Sequence, residues 1–152
     1  MKKLVLAMIA VCAFAVDEYS IKVDLNKIID SSDFKELLGD DMEFIFGSGY
    51  SGEIITSKTI EARASDTKKN NKRFQKSISG NEYKFDKWEK ICGYALVQTL
   101  KKFKKEAITN KGSKIVNIIS LNETLDRLDS KDSFFCVIRK RAAVELNADI
   151  IK

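Results

Sequence analysis

The stretch that most constrains this chain is "DKWEKICGYALVQTLKKFKKEAITNKG", residues 86–112. Asp86 with Glu89 three positions on is a capping box, in which each side chain satisfies an N–H that the first helical turn leaves orphaned. Trp88, Ile91, Cys92, Ala95, Leu96, Thr99, Leu100, Phe103 and Ala107 then recur at three- and four-residue steps, which predicts one long helix with one apolar face. Gly112 is expected to end it, at the position where a left-handed residue is commonly needed. Lys101, Lys102, Lys104 and Lys105 lie off that face in the C-terminal half, where cations complement the helix dipole. A lipid-surface role is the alternative reading of those lysines.

The segments around this helix read mainly as strands. "YSIKV" is short and extended, and residues 25–38, "LNKIIDSSDFKELL", follow as a short helix with a break at Ser31-Ser32. "MEFIF" is a strand. Gly47, Gly49 and Gly52 then stand at the spacing G-x-G-x-x-G, ahead of "EIITSKTIEARA", whose β-branched residues predict a second strand. A dinucleotide loop requires a helix after the glycines, so that the pyrophosphate meets its N-terminus. A kinase-type loop requires catalytic segments that this chain lacks. The glycines are therefore read as a turn between strands, and no nucleotide is expected. Beyond Gly112, "KIVNIIS" is a buried strand and "LNETLDRLDSKDS" a polar connection. The acidic residues of that connection lack the central glycine and terminal Glu of a calcium loop. "SFFCVIRKRAAVELNADIIK" reads as one long strand in which Ala142, Val144, Leu146, Ala148 and Ile150 alternate with polar residues. The fold class is α+β, with one long amphipathic helix packed on a mostly antiparallel sheet and a short N-terminal helix.

The N-terminus, "MKKLVLAMIAVCAFAVDEYS", combines two lysines, a short apolar run and Ala13-Phe14-Ala15. These are the parts of a secretory signal peptide, with cleavage expected after Ala15 and the periplasm as the destination. Lipid attachment at Cys12 is the alternative, disfavoured by the bulk of Val11 before it. Cleavage leaves a single domain, residues 16–152, with no second apolar run long enough for a bilayer span. Its charge is +3, from 25 Lys and Arg against 22 Asp and Glu, too small for a dedicated duplex binder. Cys92 and Cys136 remain as a pair in an oxidising compartment, most simply one disulfide joining helix to last strand.

Residues 65–85 form a basic segment, net +4, expected as a mobile loop. Lys68, Lys69, Lys72, Arg73 and Phe74 are its candidate binding residues, since cations interleaved with aromatics can track a single strand of nucleic acid. The competing and favoured reading is a solvated loop with a few aromatics packed back onto the domain.

From Leu25 onward the chain resembles a family of small exported bacterial proteins commonly labelled excinuclease ATPase subunit. The residues that carry this are "VDLNKII" followed by "FIFG", Lys68-Lys69 with Asn71, Cys92 with Ala95-Leu96 and Phe103, Gly112 leading to "IVNIIS", and the Cys136 strand running out through "AAVELNADI". The chain departs from the family in its longer basic loop and around Phe135-Cys136-Val137. More remotely it is similar to the YbjQ-like proteins and the Rcs-pathway envelope-stress lipoprotein. That similarity implies a βαββ-type core used for binding or assembly, and it brings no catalytic residues. The family label itself does not fit the chain, which has no G-x-x-x-x-G-K-[ST] loop to hold phosphates and magnesium.

With no histidine anywhere, a Ser-His-Asp triad and imidazole-based zinc sites are excluded. No cofactor, metal or catalytic residue is expected. Two function classes stay open: a non-catalytic exported domain that binds or senses an envelope component or protein through the sheet surface or the basic loop, and a small carboxylate-based hydrolase or lyase. Adjacent acids such as Asp40-Asp41 read as a solvent-facing turn rather than a catalytic pair.

Overall fold

The computed structural model describes residues 18–152; the signal peptide and the cleavage after Ala15 that the sequence leads one to expect lie outside the described residues. The elements run β1 (Tyr19–Asp24), α1 (Leu25–Ile29), α2 (Ser32–Leu38), β2 (Glu43–Phe46), β3 (Ile54–Ala64), α3 (Lys87–Thr109), β4 (Lys114–Leu121), β5 (Arg127–Leu128), β6 (Ser133–Ile138) and β7 (Ala142–Ile151). One curled sheet has the order β1-β6-β7-β4-β2, with β3 also on β7 and β5 on β4. Every pairing is antiparallel except β2 with β4. The α+β class with a long helix on a mostly antiparallel sheet is as the sequence predicts.

The final segment departs from expectation, being two strands rather than one. Arg139, Lys140 and Arg141 are three consecutive charged residues that cannot all be accommodated on a half-buried strand, and they form a turn closed by the Arg139 N–H donating to the Arg141 carbonyl at 3.0 Å. Cys136 therefore sits on β6, and the predicted alternation applies to β7, where Ala142, Val144, Leu146, Ala148 and Ile150 are all fully buried. β7 organises the sheet. Along one edge it pairs with β3 from Ala142 to Ile151. Its other edge is shared, Ala142 and Ala143 going to β6 and Glu145 to Ile151 going to β4.

That sharing opens a fork beside Val144, and buried hydroxyls repair it. Thr99, reaching down from α3, places its Oγ1 within 2.9 Å of the Val144 carbonyl and 3.0 Å of the Ala95 carbonyl. Ser120 of β4 accepts the Phe135 N–H of β6 at 2.9 Å. The other buried polar side chains among the described residues act alike. Ser31 caps α2 by accepting the Phe34 N–H, which is why the N-terminal helix breaks there, and Asn70 donates to the Ser65 carbonyl.

α3 has the predicted capping box and buries Ile91, Cys92, Ala95, Leu96, Thr99, Leu100, Phe103 and Ala107. Gly112 is needed for a different reason than expected: the left-handed residue at this helix end is Lys111, φ 58°. A Cβ on Gly112 would lie 2.4 Å from Ile150 Cγ2, so its role is close approach of the chain to β7. The Cys92–Cys136 disulfide ties α3 to β6 with Cα atoms 5.9 Å apart. Closing a loop with a sequence separation of 44 stabilises the fold by about 3–4 kcal/mol in the chain-entropy model.

One residue along, and so about 100° round the helix, Gly93 opens a flanking face of α3. A Cβ there would meet Ile28 Cδ1 at 2.6 Å and the Phe74 ring at 2.9 Å. The residues 65–85 segment and α1 thus press directly on the helix backbone, so α3 is covered on a second face next to the one on the sheet. Glycine to alanine inside a helix ordinarily adds about 1 kcal/mol of stability, whereas overpacking a full core costs about 1–3 kcal/mol. Both contacts come from fully buried side chains, so the second effect dominates. Gly93→Ala is expected to lower the urea midpoint; a raised midpoint would show that Ile28 and Phe74 can yield.

Candidate functional site

Three places on the molecule gather polar side chains. The first is the glycine turn. Gly47 and Gly49 have φ of 83° and 101°, as expected for a turn, and Gly52 does not take a positive φ. The strands that the turn joins are not sheet neighbours, so it must be held by side chains. Asp129 does this from the far loop: it accepts the Ser48 N–H at 2.7 Å and the Ser48 hydroxyl. Asn117, itself left-handed at φ 53° in a bulge of β4, accepts the Tyr50 N–H at 2.9 Å and donates back to the Tyr50 carbonyl at 3.2 Å. The Gly47 N–H donates to the Ile118 carbonyl. A carboxylate of the chain itself thus occupies the position where a phosphate-binding turn would hold its ligand.

The second place is the basic segment 65–85, which contains only the 3₁₀ turn Asn70–Lys72 and a bridge between Ser77 and Ser31. It crosses α1, α2 and the first half of α3 as a strap. Asp30 accepts the Ser79 N–H and hydroxyl, Asp33 accepts the Phe74 N–H at 2.6 Å, and Asp66 pairs with Lys87. The Ser79 hydroxyl lowers the pKa of Asp30, and Lys87 followed by Asn71 lowers that of Asp66. Of the candidate binding residues, Lys68, Lys69 and Lys72 are exposed. The Arg73 guanidinium instead lies 4.2 Å over the Tyr94 ring. Phe74 is only 1% exposed, in the slot above Gly93, so it belongs to the core and not to a stacking surface. The structure does not bring the five together as one site. A cavity of about 590 Å³ beneath the strap is lined by Lys27, Lys76, Lys84, Tyr83 and Phe85.

The third place was not legible in the sequence: a groove of about 500 Å³ on the sheet face turned away from α3. It exists because Ala143 is small. Its cross-strand partners are Arg63 on β3 and Val137 on β6, and Ala143 and Val137 form an apolar floor between charged walls. On one side Glu61 and Glu145 are directly opposed across β3 and β7, which puts like charges about 4.5–5.5 Å apart at Cβ. Arg63 neutralises one of them, its Nε lying 2.6 Å from Glu61. At the opposite end the β6–β7 turn supplies Arg139, Lys140 and Arg141, of which Arg139 pairs with Glu18, raising the pKa of the arginine. The third wall is the turn after β4, where Asn122 Oδ1 accepts the N–H groups of Thr124 and Asp126 and Glu123 accepts the Ser20 hydroxyl at 2.6 Å. Leu125, 67% exposed and at φ 60°, stands on that wall.

Among the described residues no group of three or more His, Cys, Asp or Glu is placed to hold a metal ion, and no helix is long and apolar enough to cross a membrane.

The glycine turn makes a pH prediction. The Ser48 hydroxyl and then the Ser48 N–H hold the Asp129 pKa below its ordinary value. A folded pKa below the unfolded one means that the carboxylate's contribution is complete above about pH 4 and is lost as pH falls through the folded value. Carboxyl-carbon NMR should put the Asp129 midpoint below 3.8, the ordinary aspartate value, and Ser48→Ala should move it up; an unmoved midpoint would remove Ser48 as the cause. No family model, curated protein or solved structure matches the chain.

Proposed function

We propose that this protein is an exported, non-catalytic domain that works by binding, and that the groove over Ala143 is its binding surface. The observation that carries the reading is the division of labour between the polar regions. The glycine turn spends its hydrogen-bonding groups on the fold and the strap buries its aromatic Phe74 there, whereas the groove sets Glu145, Lys140 and Arg141, which form no ion pair among the described residues, around an apolar floor beside the paired Glu61–Arg63 and Arg139–Glu18. Export is supported by the Cys92–Cys136 bond, which belongs to an oxidising compartment, and by the apolar leader sequence. Kinship with small exported proteins, and a βαββ-type unit built from β3, α3, β4 and β7, belong to the same proposal. Nucleotide binding has no support, since Asp129 and Asn117 already take the N–H groups of Ser48 and Tyr50.

A carboxylate-based hydrolase has one observation in its favour, the opposed Glu61 and Glu145. General acid catalysis needs a carboxyl whose pKa is raised by desolvation or by a like charge. The five aspartates with displaced pKa values, Asp30, Asp41, Asp66, Asp126 and Asp129, are all displaced downward by hydrogen bonds. None of these aspartates lines the groove, and there Arg63 is paired with Glu61, which favours the opposed carboxylates as part of a binding surface.

Photocrosslinking in intact cells tests it, with the crosslinker at Leu125. Ala143→Leu, which fills the groove, should remove the crosslinked species, while Lys68→Glu with Lys69→Glu and Lys72→Glu should leave them. The opposite pattern would transfer the function to the strap. Thiol trapping on the same cells should find Cys92 and Cys136 oxidised, and a reduced pair would argue against export.

A further inference from the structure

We propose that the cavity beneath the strap is a second binding site, separate from the groove, and that its ligand is a phosphate ester of a hydroxylated body such as a sugar or glycerol. The two hollows share no lining residue, so this site stands or falls independently of the groove. Its volume of about 590 Å³ lies within the range of small-molecule sites, about 300–1,000 Å³. The strap that walls it is fixed before any ligand arrives. Asp30 takes the Ser79 N–H and hydroxyl, the Ser32 N–H donates to the Lys76 carbonyl at 2.9 Å, and the Ile78 N–H donates to the Asp30 carbonyl at 2.7 Å. A wall held in this way loses little conformational entropy on binding.

The side-chain groups that the fold leaves unused around this cavity are mostly donors. Lys76 and Lys84 line it and are exposed. Their carbonyls accept from Ser32 and Lys27, but neither ammonium has an ion-pair or hydrogen-bond partner among the described residues. The Gln75 amide and the Ser77 hydroxyl on the same wall have none either. Lys27 is already engaged, 3.6 Å from Glu89 and 3.3 Å from the Lys84 carbonyl. Glu82 is the one carboxylate among the lining residues. Two ammoniums, an amide and a hydroxyl around one hollow call for a ligand rich in anionic oxygens. A phosphate ester supplies several acceptor oxygens and up to two negative charges, where a carboxylate has two oxygens and one charge. The rest of the wall indicates what the phosphate is attached to. Tyr83 and Phe85 meet edge to face with centroids 6.3 Å apart, so they offer a hydrocarbon corner rather than one open ring face. Such a corner suits the C–H groups of a sugar or glycerol, whose hydroxyls Gln75, Ser77 and Asn81 can match. A nucleobase needs a face for stacking, and Phe74, the remaining ring on the wall, is 1% exposed.

Calorimetric titration of the full mature chain tests this with glucose 6-phosphate and glycerol 3-phosphate, set against inorganic phosphate, glucuronate and glucose. Both esters should bind saturably, with the other three each weaker by about tenfold or more. Lys76→Met and Lys84→Met, at exposed positions, should each weaken the tighter ester by a similar factor, and Lys101→Met on α3 should leave it unchanged. Glu82→Gln should strengthen binding, a gain that damage to the fold does not produce. Sedimentation with vesicles of phosphatidylglycerol, and of phosphatidylcholine as the neutral control, separates the two sources of the ester. Chain carried down by phosphatidylglycerol through Lys76 and Lys84 would identify a lipid headgroup, and binding of the soluble esters without sedimentation would identify a free ester. Inorganic phosphate binding as tightly as the esters, Lys76→Met with Lys84→Met leaving affinity unchanged, vesicle binding that depends on Lys68, Lys69 and Lys72 instead, or no binding by any probe would each overturn the proposal.

Discussion

α3 must be buried on two adjoining faces, and the rest of the molecule is arranged to do it. One face lies in the curl of the sheet, fixed covalently at Cys92 and by the Thr99 hydroxyl at the fork beside Val144. The other lies under Ile28 and Phe74, which reach the helix backbone only because residue 93 has no side chain. A basic segment of mixed polarity thereby becomes part of the core. The same requirement explains Phe74, a bulky residue held at φ 60°, where such conformations are costly: full burial of its ring and the Asp33 carboxylate on its N–H outweigh the local strain.

What could be read in the sequence was whatever depends on neighbours along the chain. The capping box at Asp86 and Glu89, the periodicity of α3, the alternation in β7 and the break at Ser31 are all local patterns, and each is present in the structure. The disulfide was legible for another reason, since two cysteines in a chain expected to be exported leave a single pairing. The misreadings have a common cause in contacts between distant segments. Phe74 resembled an exposed aromatic among lysines until Gly93, on another element, provided its slot. Gly112 resembled a helix terminator, but Ile150 of β7 is what excludes a side chain there. The β6–β7 turn was hidden because the apolar residues on either side of Arg139-Lys140-Arg141 continue in one register.

The groove illustrates the limit most clearly. Neither Glu61 nor Glu145 is unusual on its own strand, and each is followed or preceded by residues of ordinary strand character. Only the β3–β7 register makes them face each other, and only the small side chain at 143 leaves room above them. The glycine turn teaches the complementary lesson. Its spacing describes backbone amides able to hold an anion, and the fold meets that capacity with Asp129 of the chain itself. A motif read from spacing identifies what the backbone can hold but not what holds it.

The covalent map of the molecule has one more consequence. Cys92 and Cys136 enclose most of α3, all of β4 and β5 and most of β6, including the exposed turn that carries Leu125. A protease that cut this turn would divide the polypeptide without separating the pieces, since both ends of the cut lie inside the ring. Such a nicked molecule would gain only the mass of the water consumed in the cleavage under oxidising conditions and would fall into two fragments on reduction. The wall of the groove most open to attack is also the one whose breakage the disulfide contains.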